Sequence, residues 1–199
     1  MKVSFGNARQ WHWISAAICV VGMLFFSWTG ITLNHAADIP ANSDITTIEE
    51  AIPEKLLAQW QSTDKTEDTL PKNLRQHLSA VYDLDISARA IGELNDGEFY
   101  LAMPNPGVDA CLAIDIESGE LIYEKTDRGW ISFFNDLHKG RYTNTAWVWF
   151  IDAFAVCSII FCLSGLWLLY KQAPFRLSTW PIVALGVLLP LVIILTSLH

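Results

Sequence analysis

Apolar residues gather in three long runs. Ile14–Leu33 carries no charge, Trp147–Tyr170 carries only Asp152, and Trp180–Leu198 carries none. Each run has the ~20 residues that a helix needs to cross ~30 Å of hydrocarbon. The stretch between the first two runs is polar and acidic, and its pattern changes along its length. Pro40, Asn42, Ser43 and Asp44 read as a loop, followed by a short helix from about Ile48 to Trp60. A second helix is expected where Asp68 or Thr69 can cap it, Pro71 suits the first turn, and Leu70, Leu74, Leu78 and Val81 recur at helical spacing. Four strand-like runs follow, Ile86–Glu93, Glu98–Met103, Asp109–Ile116 and Glu120–Lys125, separated by the turn sequences NDG, PNPG and ESGE. The expected fold is an α-helical membrane protein with three transmembrane helices and a small α+β domain inserted between the first two.

Orientation follows from the basic residues of the short segments. Lys2 and Arg9 precede the first run, and Lys171 and Arg176 lie between the second and third, which marks both segments as cytoplasmic. The expected division is a cytoplasmic N-terminus (1–10), transmembrane helix 1 (11–35), an extracytoplasmic α+β domain (36–128) and an outer interfacial segment (129–146). Transmembrane helix 2 (147–170), a cytoplasmic loop (171–179) and transmembrane helix 3 (180–199) complete the chain. Trp11, Trp13, Trp167 and Trp180 would mark the inner interface, and Trp130, Trp147 and Trp149 the outer one. The first run is read as a retained span rather than a cleaved signal peptide, because it is too long and contains Trp28. The expected location is the bacterial inner membrane, with the lipid bilayer as the first partner.

Composition narrows the chemistry. The formal net charge of −8 lies mainly in the middle segment, so a nucleic-acid partner is not expected. Of the four cysteines only Cys111 falls in the extracytoplasmic domain, so no disulfide forms within it. No CxxC or CxxCH occurs, which excludes a thioredoxin-like pair and covalent haem attachment. GxGxxG, P-loop, GxSxG and HExxH motifs are also absent.

The segment RQWHWISAAICVVGMLFFSWTGITLNH resembles the first helix of PepSY-associated transmembrane proteins, and FFNDLHKGRYTNTAWVWFIDAFAVCSIIFCLSGLWLLY is similar to their second-helix region. The middle segment is similar to a PepSY domain in its element order and its DIESGELIYE hairpin. Larger members of this type resemble haem-carrying inner-membrane reductases that act on ferric-siderophore complexes. The resemblance therefore implies a b-type haem relaying single electrons to or from a periplasmic electron carrier. Ferric chelates are candidate acceptors. The alternative is a non-redox PepSY interaction or regulatory protein, binding an envelope protein or serving as a scaffold subunit of a membrane complex.

Five histidines are available as ligands. On one helix His12 and His35 stand ~34 Å apart and cannot share an iron. His138 enters the second span from the outer side, at the expected level of His35, so His35 and His138 are the candidate axial pair or shared metal ligands. His199 is the competing ligand, and Asp136 or Asp152 is the candidate carboxylate that orients a ring. His12 is expected to be an interfacial ring bonded to lipid or loop, and His77 an exposed residue on a polar helix face.

Overall fold

The computed structural model describes residues 6–40, 43–62 and 69–197. Among the described residues three helices are long and apolar enough to cross a membrane. They are α1 (Ala8–Asn34), α5 (Thr145–Gln172, extended by one 3-10 turn, Ala173–Phe175) and α6 (Thr179–Ser197). Between α1 and α5 lie β1 (Asp44–Ala51), α2 (Glu54–Ser62), α3 (Lys72–Tyr82), β2 (Glu93–Asn95), β3 (Glu98–Ala102), β4 (Val108–Asp115), β5 (Glu120–Asp127) and α4 (Gly129–Lys139). The chain clusters into two compact units, Met1–Trp28 with Thr145–His199, and Thr29–Asn144.

In the helical unit, α1 packs through small side chains. Ser15 and Cys19 are buried, Gly22 faces the Phe154 ring so closely that it leaves no room for a Cβ, and Phe26 stacks on Phe154 with ring centroids 5.0 Å apart. These positions recur by fours and threes along the chain, the spacing of one helix face. Small residues on such a face let two backbones approach in lipid, where hydrophobic expulsion no longer drives association. The Ser15 hydroxyl donates to the Trp11 carbonyl at 2.7 Å, so its polar group is satisfied inside its own helix. The large side chains of α6 are exposed all round, as suits a helix bathed in lipid.

The second unit is a five-stranded antiparallel sheet in the order β1-β5-β4-β3-β2. Alternation along each strand sends Phe99, Leu101, Leu112, Ile114, Leu121 and Tyr123 to one face. There they pack with Leu70, Leu74 and Leu78 from the start and face of α3, and Trp60 of α2 meets Phe99 edge-on at 5.4 Å.

Three details of the expected domain change. The residues before Pro53 pair with β5 from Asp44↔Asp127 to Ala51↔Glu120, so the stretch Ile48–Ala51 of the expected Ile48–Trp60 helix is strand, and the helix begins at Glu54. Glu49, Glu50 and Ala51 are good helix formers, but propensity is a weak prior and the eight-residue ladder to β5 overrides it. Of the expected strand Ile86–Glu93 only Glu93 is extended and paired; Ile86 instead tucks into the core from an irregular segment. Residues 129–139, expected to be an interfacial segment, form α4, closed by Gly140 in the left-handed region at φ 67°. The α3 helix starts at Lys72 with Pro71 at its N-cap and no side-chain cap bond, so Thr69 does not cap it, and Val81 is 56% exposed and takes no part in the core. Asp68, the other expected cap, and His199 lie outside the described residues.

Leu112→Ala removes a fully buried side chain from the central strand and is expected to destabilise the sheet domain by about 2–5 kcal/mol. Val81→Ala is expected to change stability by under about 0.5 kcal/mol. Denaturant titration of the full chain in detergent, followed by Trp60 fluorescence, checks both.

Candidate functional site

The end of α1 carries two threonines one turn apart, and α4 answers with two polar side chains at the same spacing. Thr29 is fully buried, with its Oγ1 2.6 Å from His138 Nδ1. One turn on, the Thr32 hydroxyl donates to Asn135 Oδ1 at 2.7 Å. A Cβ at Gly30 would lie 4.0 Å from His138 Cε1, an ordinary contact that the seam could accommodate. Burial pushes the His138 imidazole below its ordinary value, and the neighbouring Lys139 charge adds to the shift.

A buried carboxylate fixes α4 from its other side. Asp136 Oδ2 accepts the Gly107 N–H at 2.9 Å and an Arg128 guanidinium N–H at 2.9 Å, while Arg141 stands 4.0 Å from Oδ1. Arg128 also reaches Asp109, with Nε 3.1 Å from its Oδ2. Gly107 has φ 73°, and a Cβ there would come within 2.9 Å of the Phe133 backbone, so the β3–β4 turn presses directly on α4. Asp136 therefore ties that turn and the start of α4 together, and is not the carboxylate that orients a histidine. Two clefts flank Trp130, which is 76% exposed. One, of about 310 Å³, is lined by Ile39, Pro40, Arg128 and Asn135; the other, of about 550 Å³, by Asp44, Pro106, Asp127 and Phe133.

The histidines are placed differently from the expected pair. His35 is exposed, and its Nδ1 lies 3.1 Å from the Ile31 carbonyl of its own helix. Six residues separate Thr29, which holds His138, from His35, which sets them about 120° apart around α1. His35 thus does not face the His138 ring, and the pair as placed does not fit the two axial positions of one porphyrin. Among the described residues no group of three or more His, Cys, Asp or Glu side chains is gathered as a metal would require. Asp152 is exposed, about two turns into α5. His12 is no free interfacial ring: it stacks on Phe161 at 4.7 Å, with Nδ1 3.2 Å from Ser164 Oγ. His77 is half-buried on α3, edge-on to Tyr82 at 6.4 Å.

The sheet presents the second surface of interest. Among the described residues no helix covers its far face. Tyr100 and Ile122 are exposed there beside Ala113, and Ile45 is 65% exposed at one edge. Around them stand Glu49, Glu93, Glu98, Asp115, Glu120 and Glu124, carboxylates from every strand, while no strand contributes a Lys or Arg to this face. Tyr100 titrates above its ordinary value chiefly because of the Cys111 thiol beside it, then through burial, with Glu93 and Glu124 adding to the shift.

Comparison with known proteins agrees with this architecture. The PepSY_TM-like family model matches residues 3–199. The chain belongs to that family. No curated protein and no solved structure matches it. This PepSY_TM-like chain is accordingly a multi-pass protein in contact with lipid, carrying a sheet domain between its first two spans.

The Thr29–His138 and Thr32–Asn135 contacts escaped the sequence reading. The signal for them was present: the two residues on each helix sit three apart, as two facing rungs must.

Protonation of His138 opposes folding, because its folded value lies below the unfolded 6.5. The neutral ring's contribution is complete above pH 6.5 and is lost as the pH falls through the folded value. Stability is therefore expected to decline on acidification below about pH 6.5, and His138→Gln is expected to flatten that part of the profile. Melting temperature of the full chain in detergent between pH 5 and 8 is the check.

Proposed function

We propose that this PepSY_TM-like protein is an inner-membrane anchor whose sheet domain stands on the extracytoplasmic side and docks a basic, extended segment of another envelope protein. The observation that carries the reading is the open sheet face, apolar along its middle and rimmed by carboxylates to which no strand adds a Lys or Arg, Arg128 meeting Asp109 at one corner. The edge beside it supports the same reading. The Ile52 N–H points toward β5, bonding the Gly119 carbonyl at 2.8 Å. Antiparallel alternation then turns the backbone groups of Ile45, Thr47 and Glu49 away from the sheet. Their side chains lie on the acidic face, so a strand added beside β1 would gain main-chain hydrogen bonds and lay alternate side chains among the carboxylates. Coulombic attraction would speed the encounter and weaken with salt. Arg9 in the first turn of α1, Lys171 in the last turn of α5 and Arg176 between α5 and α6 support the orientation.

The redox reading is a second proposal, resting on one ring. A His138 tautomer that donates Nδ1–H to Thr29 leaves Nε2 with the lone pair that an iron or other metal takes. A Soret band in purified protein, lost in His138→Ala, would carry that reading, and protein that stays colourless after haem is supplied would end it.

Docking is tested with a synthetic ten-residue peptide of alternating Lys and Val, measured by fluorescence anisotropy on the full chain in a neutral detergent. Glu49→Lys with Glu124→Lys is expected to weaken binding by about tenfold or more. Added salt should erode the wild-type affinity, and far-UV circular dichroism should be unchanged. Equal affinity for the wild type and the double variant would refute docking at this face.

A further inference from the structure

The helical unit has a charge imbalance that its own residues do not correct. Residues 1–37 and 153–199 contain no Asp or Glu, whereas Arg9 and Lys171 stand at the same end of that unit. There they line a cavity of about 270 Å³ together with Asn7, Ala8, Leu168 and Gln172. The carboxylate of the unit, Asp152, lies far along α5, ~28 Å from Lys171. An anion that neutralises the two cations must therefore come from outside the unit.

The walls specify what kind of anion. Arg9 and Lys171 come from different helices, which suits two-sided contact with phosphate oxygens. The Asn7 side-chain carbonyl is engaged with the Gln10 N–H at 2.9 Å, leaving its amide N–H groups to donate, as the Gln172 amide can. The first turn of α1 adds the positive end of the helix dipole. Ala8 and Leu168 give the cavity an apolar side. Depth is set by aromatic residues: Lys171 Nζ lies 5.5 Å over the Trp167 ring, and Tyr170 meets Trp180 edge-on at 6.2 Å. Such a belt belongs at headgroup level. The space is worth about nine waters, enough for a phosphodiester and its nearest carbons.

We propose that this cavity binds the phosphodiester headgroup of an anionic phospholipid, with Arg9 and Lys171 as its paired ligands. The lipid then supplies the counter-charge that the helical unit lacks.

The test uses the full chain in a neutral detergent, with adducts counted by native mass spectrometry and melting temperature read in parallel. Dioleoyl phosphatidylglycerol is expected to be retained and to raise the melting temperature, and dioleoyl phosphatidylcholine to do neither. Arg9→Ala with Lys171→Ala should weaken phosphatidylglycerol retention about tenfold or more, while Arg176→Ala, equally basic but outside the cavity, should keep it. Should the double variant fold poorly, Arg9→Gln and Lys171→Gln singly are each expected to lower retention. Equal loss in Arg176→Ala would mean diffuse attraction and overturn the site. Competition by millimolar inorganic phosphate would overturn the lipid as its source.

Discussion

Polar atoms on an apolar helix need partners inside the protein, and α1 meets that demand through one face. His12, Ser15, Cys19, Gly22, Phe26 and Thr29 follow one another by threes and fours, each small, or flat enough to stack. The small members allow the close approach, and the polar members use it. The His12 ring finds the Ser164 hydroxyl, and Thr29 finds His138, each within its own unit. A bulky residue at Gly22 would strike Phe154 and disturb the upper part of this seam.

A second consequence concerns α4, which leans on α1's end through neutral hydrogen bonds and on the β3–β4 turn through a charged one. Asp136 is buried, and its Oδ2 carries two donors at once, a backbone N–H and a guanidinium. Removing it would strand both, a larger loss than the ion pair alone is worth. The sheet, by contrast, is packed on one side. Its inner face takes α2 and α3, and its outer face keeps an apolar middle that water covers poorly and a carboxylate rim that water solvates well. That asymmetry is why the functional reading settles on the sheet rather than on the histidines.

The three spans were legible because their signal is length and absence of charge, which no packing detail alters. So was most of the sheet: the runs at β3, β4 and β5 alternate cleanly and are bounded by Gly-containing turns. The first strand was not. Its residues are nearly all exposed, so no alternation of burial marks it, and Glu-Glu-Ala reads as helix until β5 supplies a partner. The α4 helix lacked a side-chain cap and was hidden by its place beside a membrane run. For the site, His138 was visible as a residue, but its meeting with Thr29 across more than a hundred residues was not.

From the chain alone came the number of membrane helices, the acid-rich insertion, the family resemblance and the set of titratable candidates, all of which depend on composition and local periodicity. Tertiary structure decided which of those candidates have company. It turned His35 outward, gave His138 a threonine, drew Asp136 to a backbone amide and two arginines, and left one face of the sheet bare. Such pairings depend on the angle of each residue around its helix and on which strand closes the sheet, and neither is carried by the residues nearby in sequence.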